Sequence, residues 1–524
     1  MTTNPGELVS PTTSDQTANS RDTSFFGHPA GLSTLFFTEM WERFSYYGMR
    51  ALLILFMTAA AVDGGLGMDV ATAGAIYGLY TAAVYLAALP GGWIADRLIG
   101  QRRAVLVGGI VIAAGHFSMA LPVVTGSFGE LPPFYTGLLL IVVGTGFLKP
   151  NVSALVGELY GTGDARRDAG FSIFYMGINL GAFAAPLVTS FLGEQINWHL
   201  GFAAAGVGMT LGVVQYVVGQ RRLGSAGTAI SRGRAIAEES SERRPAILIA
   251  GSIAAVGVLL ILQIRGSIDL MTAVGLASAS GLILLLLSVV YFGALLTDGQ
   301  LSTLERKRIG VIAILFLFSA LFWSGFEQAG SSLNLFARDL TDRVLAGWEM
   351  PAGFLQSVNA FFIIIFAPVF AWLWIWLDRR GRDPSSPLKF AVGLIALGTG
   401  FVVMVGASAA AASGQLVSPA WLVLTYFLHT IGELALSPVG LSTVTKLAPK
   451  RMAGQMMGVW FLSISLGSVF AGQVAGLYES LPLTELFGAV AATMVAGGLL
   501  LLLLSRPLRA MMGGLKQHQK AAPM

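Results

Sequence analysis

No cysteine occurs in the 524 residues, which removes disulfides, thiol nucleophiles and cysteine-ligated zinc or iron centres from the chemistry open to the chain. Charge is scarce too. Asp, Glu, Lys and Arg make up 11% of the residues, against about 25% in soluble domains. Histidine is rarer still, five in all and dispersed. Neither His-Glu-x-x-His nor Gly-x-Ser-x-Gly is present, so an embedded zinc or serine hydrolase is not indicated. The net charge of +4 lies over short loops and gathers on no single face, so no nucleic-acid partner is expected. No metal and no organic cofactor are expected either.

What is abundant is apolar side chain, 55% of the sequence, more than a soluble domain can hide. A bilayer core about 30 Å thick takes about 20 apolar residues per helix. Apolar runs bounded by Gly, Pro or charge fall at 32–61, 71–95, 104–124, 133–159, 170–192, 200–219, 245–264, 271–296, 310–337, 352–377, 388–411, 419–446, 453–477 and 483–505. The fold class expected is therefore an all-α integral membrane protein with fourteen transmembrane helices, solvated by lipid. Residues 1–31 are rich in Ser, Thr, Asp and Asn and lack the features of a secretory signal. They read as a disordered cytoplasmic tail.

Basic residues give an independent check, because short cytoplasmic loops carry the excess of Lys and Arg. Of 32 basic residues, only Arg265, Arg338 and Arg343 lie in the odd-numbered loops, whereas Arg97, Arg102 and Arg103, then Arg379, Arg380 and Arg382, then Lys450 and Arg451 cluster in even-numbered ones. Both termini are expected in the cytoplasm. The seventh and eighth spans follow a polar, basic stretch and hold almost no polar residue, as a lipid-facing insertion would. Setting them aside leaves six spans on each side, a pattern suited to two bundles around a central cavity. The domains expected are the tail 1–31, an N-terminal six-helix bundle at 32–220, a linker with the inserted pair at 221–308, a C-terminal bundle at 309–507 and a cytoplasmic tail at 508–524.

Ionisable groups at membrane depth cost about 2.5–3.5 kcal/mol each, so they face a bundle interior, pair, and mark function. In the first span Glu39, Glu42, Arg43, Tyr46, Tyr47 and Arg50 follow the i, i+3, i+4, i+7 spacing and share one helix face. Mutual neutralisation as simple structural glue is the plain alternative, but the stack is dense for that role. Carboxylates beside a cation that can leave and return make a proton switch. In the fourth span Lys149 precedes Pro150 and a helix break, and needs an anion: Glu39, Glu42, Glu433 or a substrate carboxylate. Glu327 of the ninth span is the natural partner for Arg50. His116 is read as packed or hydrogen-bonded between helices. His429, one turn from Glu433, could tune that carboxylate.

Glu39-x-x-Glu42-Arg43-Phe44-x-Tyr46-Tyr47-Gly48 resembles the signature of the proton-dependent oligopeptide transporter family, a branch of the major facilitator superfamily. Gly91-Gly92-Trp93-Ile94-Ala95-Asp96-Arg97 resembles the superfamily's loop between its second and third helices. Gly146-Phe147-Leu148-Lys149-Pro150-Asn151 and Phe171 to Gly181 resemble the family's fourth and fifth helices. The likeness covers about 33–506. It implies a proton-coupled symporter of di- and tripeptides in the bacterial inner membrane, working by alternating access, with protons as the coupling ion; a monomer is expected, although the sequence itself does not fix the oligomeric state. In that family Arg50 and Lys149 would meet the peptide's carboxyl end, and Glu433, Asn179 and Asn359 its amino end. Tyr46, Tyr47, Tyr85, Trp323 and Trp460 would line side-chain pockets. Glu39, Glu42 and Arg43 would couple the proton, and Glu327 with Arg50 would form a bridge that opens and closes. Animal members carry a functional histidine in the second helix. The second span here has none, which leaves that work to the glutamates.

A carrier of another anion such as nitrate is the nearest rival, although that branch often lacks the complete glutamate pair. A channel is a rival from another class, and no ring filter or repeated pore loop is visible.

Overall fold

Where water is absent, a spanning segment must close its own backbone hydrogen bonds, and the apolar runs accordingly form helices. The computed structural model describes residues 22–122, 131–161, 164–228, 261–263, 265–266 and 269–513. Its helices are α1 (Ala30–Thr58), α2 (Val70–Ile94), α3 (Gln101–Ala120), α4 (Leu131–Glu158), α5 (Arg167–Gln195), α6 (Trp198–Gly219), α7 (Ala273–Leu296), α8 (Thr303–Phe326), α9 (Ser332–Asp339), α10 (Ser357–Arg379), α11 (Ser386–Ala411), α12 (Ala420–Leu447), α13 (Ala453–Ala475) and α14 (Leu483–Met512). Among the described residues 12 stretches are long and apolar enough to cross a membrane. To these α1 adds a helix of 29 residues, whose charges are concentrated in Glu39, Glu42, Arg43 and Arg50 but which is about 43 Å long at 1.5 Å per residue. The seventh span at 245–264, apart from 261–263, lies outside the described residues. So do residues 1–21 of the expected tail, 229–244 of the basic linker and 514–524.

One departure from the expected pattern puts a buried carboxylate at a helix break. The ninth span does not run unbroken over 310–337. Helix α8 stops at Phe326, a 3-10 turn covers Glu327–Gly330, Ser331 adopts φ −127° and ψ −99°, and α9 restarts the helix. Side-chain hydrogen bonds hold the segment at the break. Ser332 Oγ donates to Gln328 Oε1 at 2.6 Å, and Gln328 Nε2 donates to the carbonyl of Ala471 at 3.0 Å. A second departure is a two-residue hairpin, β1 (Val344–Leu345) and β2 (Trp348–Glu349), where a loop is expected. Ala346 and Gly347 turn it at φ 52° and 83°, the positive values that tight hairpin turns require.

Packing falls into two compact units. The first comprises Met1–Met49, Ala87–Thr189 and His199–Glu238, and the second Arg50–Leu86, Ser190–Trp198 and Glu239–Met524. In the first, Leu32, Leu35, Val105, Ile112, Leu148, Leu155, Phe174, Met209 and Tyr216 form a buried core. Helices α3 and α4 approach so closely that a Cβ on Gly108 would strike the carbonyl of Gly144, and one on Gly144 that of Gly108. In the second unit Gly74 and Gly78 of α2 lie against Gly472 of α13, and Gly393 of α11 against Gly432 of α12. Small residues that bring backbones together are how helices adhere where lipid is as apolar as the side chains. Large apolar residues such as Leu139, Trp372 and Leu503 remain exposed, as a lipid-facing surface demands.

Candidate functional site

Helix geometry sets the charge cluster of the first unit, because residues four apart on α1 lie one above the other. Arg43 Nε donates to Glu39 Oε1 at 2.8 Å and stands 3.1 Å from Glu42 Oε2. Glu39 and Glu42 are each 1% exposed and Arg43 6%. Three ionisable groups are thus withdrawn from solvent together, with one cation between two anions. Next along the same face, the rings of Tyr46 and Tyr47 meet edge to face at 5.2 Å.

Lys149 of α4 sits immediately before Pro150, inside the helix. Of the anions considered for it, Glu42 lies within electrostatic reach. Asn151 Nδ2 donates to the Phe147 carbonyl at 2.7 Å, holding the turn around the proline. Asn179 of α5 is 4% exposed and donates to the carbonyl of Tyr175 at 2.9 Å. His116 is fully buried on α3, and neither ring nitrogen has a hydrogen-bond partner among the described residues. The packed reading fits it and the hydrogen-bonded one does not.

The second unit holds the expected bridge. Arg50 Nη2 lies 2.9 Å from Glu327 Oε2, with both side chains under 10% exposed. Glu327 is placed at the first residue of the 3-10 turn, where the helix breaks. A third member enters from α2. Arg50 Nε donates to the Tyr77 hydroxyl at 2.6 Å, and that hydroxyl lies 3.4 Å from Glu327 Oε2. Tyr77 is fully buried. Gly330 makes room for this contact, since a Cβ there would run into the Tyr77 hydroxyl and Arg50 Nε.

Elsewhere in the same unit Asn359 Nδ2 of α10 donates to Glu433 Oε2 at 3.1 Å and to Thr430 Oγ1 at 2.9 Å. Trp323 meets Phe322 and Phe326 edge to face at 5.6 and 5.3 Å, and Trp460 meets Phe390 at 5.9 Å. Tyr85 of α2 is half-buried. His429 lies tilted against Phe401, ring centroids 4.9 Å apart, and makes no hydrogen bond to Glu433; the tuning contact considered for it is not formed.

Tyr77, Gln328 and Thr430, placed next to expected residues, do not stand out in the sequence, and neither does Glu194. Glu194, near the end of α5, accepts from the amides of Ala352 and Gly353 at 2.7 and 2.9 Å. The sequence carries one usable signal for Tyr77. A guanidinium has five N–H donors, and one carboxylate leaves most of them unanswered, so a buried Arg50 calls for a second acceptor.

Twelve apolar spans among the described residues, a buried Glu-Glu-Arg cluster on α1 and a buried Arg50–Glu327 bridge invite comparison with known carriers. Residues 102–492 match the sequence model of the POT family. The chain belongs to the POT family. It is similar to the "Peptide transporter YePEPT" of Yersinia enterocolitica subsp. palearctica serotype O:3 (strain YE-P4), with 43% identity over 510 residues covering 95% of this chain and 98% of that one. A "Di-/tripeptide transporter" of Lactococcus lactis subsp. lactis (strain IL1403) is 36% identical over 510 residues, covering 96% and 100%. The crystal structure of a peptide transporter POT in complex with sulfate superposes with a TM-score of 0.83 at 41% identity, covering 96% of this chain and 100% of that one. This POT-family chain is therefore a multi-pass membrane transporter with the major facilitator fold, and not an enzyme.

Proposed function

We propose that this POT-family member is a proton-driven symporter that imports di- and tripeptides across the bacterial inner membrane by alternating access. Both termini are cytoplasmic, the working unit is a monomer in lipid, and protons are the coupling ion with no other cofactor. The division into bundles at 32–220 and 309–507, with an inserted pair at 221–308, is kept as the domain organisation of this reading. The observation that carries it is the Arg50–Glu327 bridge at 2.9 Å. A guanidinium held by one buried carboxylate is poised to be exchanged to another, and a peptide supplies that carboxylate at one end. Glu433, oriented by Asn359, supplies the opposite sign for the amino end. Charge-assisted contacts of both signs hold a zwitterion and leave its side chains to apolar and aromatic walls. Lys149 is assigned to the carboxyl end and Asn179 to the amino end. Tyr46, Tyr47, Tyr85, Trp323 and Trp460 serve the side chains. Glu39, Glu42 and Arg43 carry the proton, together with Glu327.

The test is uptake of labelled dialanine into proteoliposomes holding the purified protein, with and without an inward proton gradient. Gradient-dependent accumulation competed by other dipeptides is expected. Transport of nitrate or another solute with no uptake of dialanine would overturn the substrate assignment.

A further inference from the structure

Arg50 is held at two of its nitrogens by two different groups. Its Nη2 meets Glu327 and its Nε meets the Tyr77 hydroxyl, at 2.9 and 2.6 Å. A free Arg-carboxylate pair favours a two-pronged geometry, in which Nε and one terminal nitrogen both face the same carboxylate. Tyr77 occupies Nε, which closes that side-on fork, and Glu327 is met at Nη2. The phenol accepts from Arg50, which leaves its own proton to point toward Glu327 Oε2 at 3.4 Å. The ring is fully buried, and Gly330 at the helix break gives the hydroxyl its space. The phenol is therefore built into the bridge. Tyr426 and Glu433 of α12 also lie within electrostatic range of Arg50.

We propose that Tyr77 is a positioning residue that keeps the Arg50–Glu327 bridge single-pronged, so that an incoming carboxylate can exchange with Glu327 at Arg50. The inference rests on the proposed function in taking a peptide carboxylate as the competitor. Without the hydroxyl, Nε turns to Glu327, the bridge closes as a fork, and the substrate must displace two bonds where it displaced one. The extra charge-assisted hydrogen bond corresponds to at least about tenfold in affinity.

The experiment is dialanine counterflow, which needs no proton gradient, in the wild type, Tyr77→Phe, Glu327→Gln and the double variant. Tyr77→Phe is expected to raise KM about tenfold with kcat within twofold, and to change KM by less than twofold once Glu327→Gln has removed the competing charge. An unchanged KM in Tyr77→Phe, or the same rise in both backgrounds, would overturn the proposal, because a ring that only fills space acts alike in both. Melting temperatures of the four substrate-free proteins give a reading that needs no peptide. The two substitutions are expected to shift melting by amounts that do not add, and additive shifts would overturn the coupling. If the wild type exchanges no dialanine, the substrate assignment falls, and the melting cycle still decides for or against Tyr77.

Discussion

Arg43 divides its attention unequally between two carboxylates, and Glu42 receives the lesser share. The hydrogen bond of Arg43 Nε goes to Glu39 Oε1 at 2.8 Å, while Glu42 Oε2 stands 3.1 Å away, and neither Glu42 oxygen has a hydrogen-bond partner among the described residues. A proton arriving at Glu42 adds the donor that this carboxylate lacks. At Glu39 one oxygen, Oε1, is already engaged by Arg43 and only Oε2 is open to a proton.

Glu42→Gln therefore mimics the loaded state permanently. Moving one charge down 100 mV supplies about 2.3 kcal/mol, which is roughly fiftyfold in accumulation. Uphill dialanine uptake by this variant is expected to collapse from that order to no accumulation, with counterflow retained. Measured steady-state accumulation ratios that match the wild type would remove Glu42 from the coupling role.

Breaking the second-unit bridge from one side leaves an uncompensated buried charge, a loss of about 3–5 kcal/mol. Glu327→Ala is accordingly expected to lower the melting temperature, and Arg50→Met combined with Glu327→Leu to recover much of it. The double variant is expected to bind no dipeptide. Stability that survives Glu327→Ala untouched would mean that Arg50 finds another anion.

Glu194 binds two successive backbone amides at the start of the 3-10 turn Ala352–Gln356 that leads into α10. Replacing it by glutamine turns charge-assisted bonds into neutral ones of about half the strength. Hydrogen exchange at the Ala352 and Gly353 amides is expected to quicken about tenfold, read by mass spectrometry, with α11 and α14 unaffected. Uniform acceleration across the second unit would instead mark a general loss of stability.

Outside the membrane spans, Arg166 Nη2 pairs with Asp164 at 2.8 Å and Arg166 Nη1 donates to the carbonyls of Asp22 and Gly27 at 3.0 and 3.2 Å. The hydrogen bond from Arg166 holds the Asp164 carboxyl below its ordinary value of 3.8. A lowered folded pKa gives stabilisation that is complete above the ordinary carboxylate range and lost as pH falls through the depressed value. Protection of residues 22–29 from chymotrypsin is thus expected to be constant from pH 8 to about pH 5. Arg166→Ala is expected to open Phe25 and Phe26 to cleavage throughout that range, and continued protection would assign the hold to the 2.9 Å contact of His28 with Tyr160.

The spans were legible because lipid admits so few backbone solutions, and the Glu39–Arg43 contact because a helix fixes residues four apart. Arg50 and Glu327 could be paired by counting the few buried cations and anions. Tyr77 could not be separated from the aromatic background of its span, since a phenol with a role and a phenol in a core are the same letter. The break at Glu327 was hidden for a related reason. It is accompanied by the bond of Gln328 to the Ala471 carbonyl, a group made its neighbour by folding, and local apolar periodicity contains no trace of that bond. The hairpin at 344–349 turns on Ala346 at φ 52°, a conformation that alanine rarely takes and composition does not announce.

Where α2 meets α13, Gly74, Gly78 and Gly472 set main chain directly on main chain. An aliphatic seam can drift over generations, one residue shrinking as its neighbour grows, but this one has no side chain to trade. Any replacement pushes the two backbones apart at a single step, so descent offers it no intermediate. These three positions will change far more slowly between related lineages than a lipid-facing one such as Leu503, and the contrast records which parts of the transporter history has been free to rewrite.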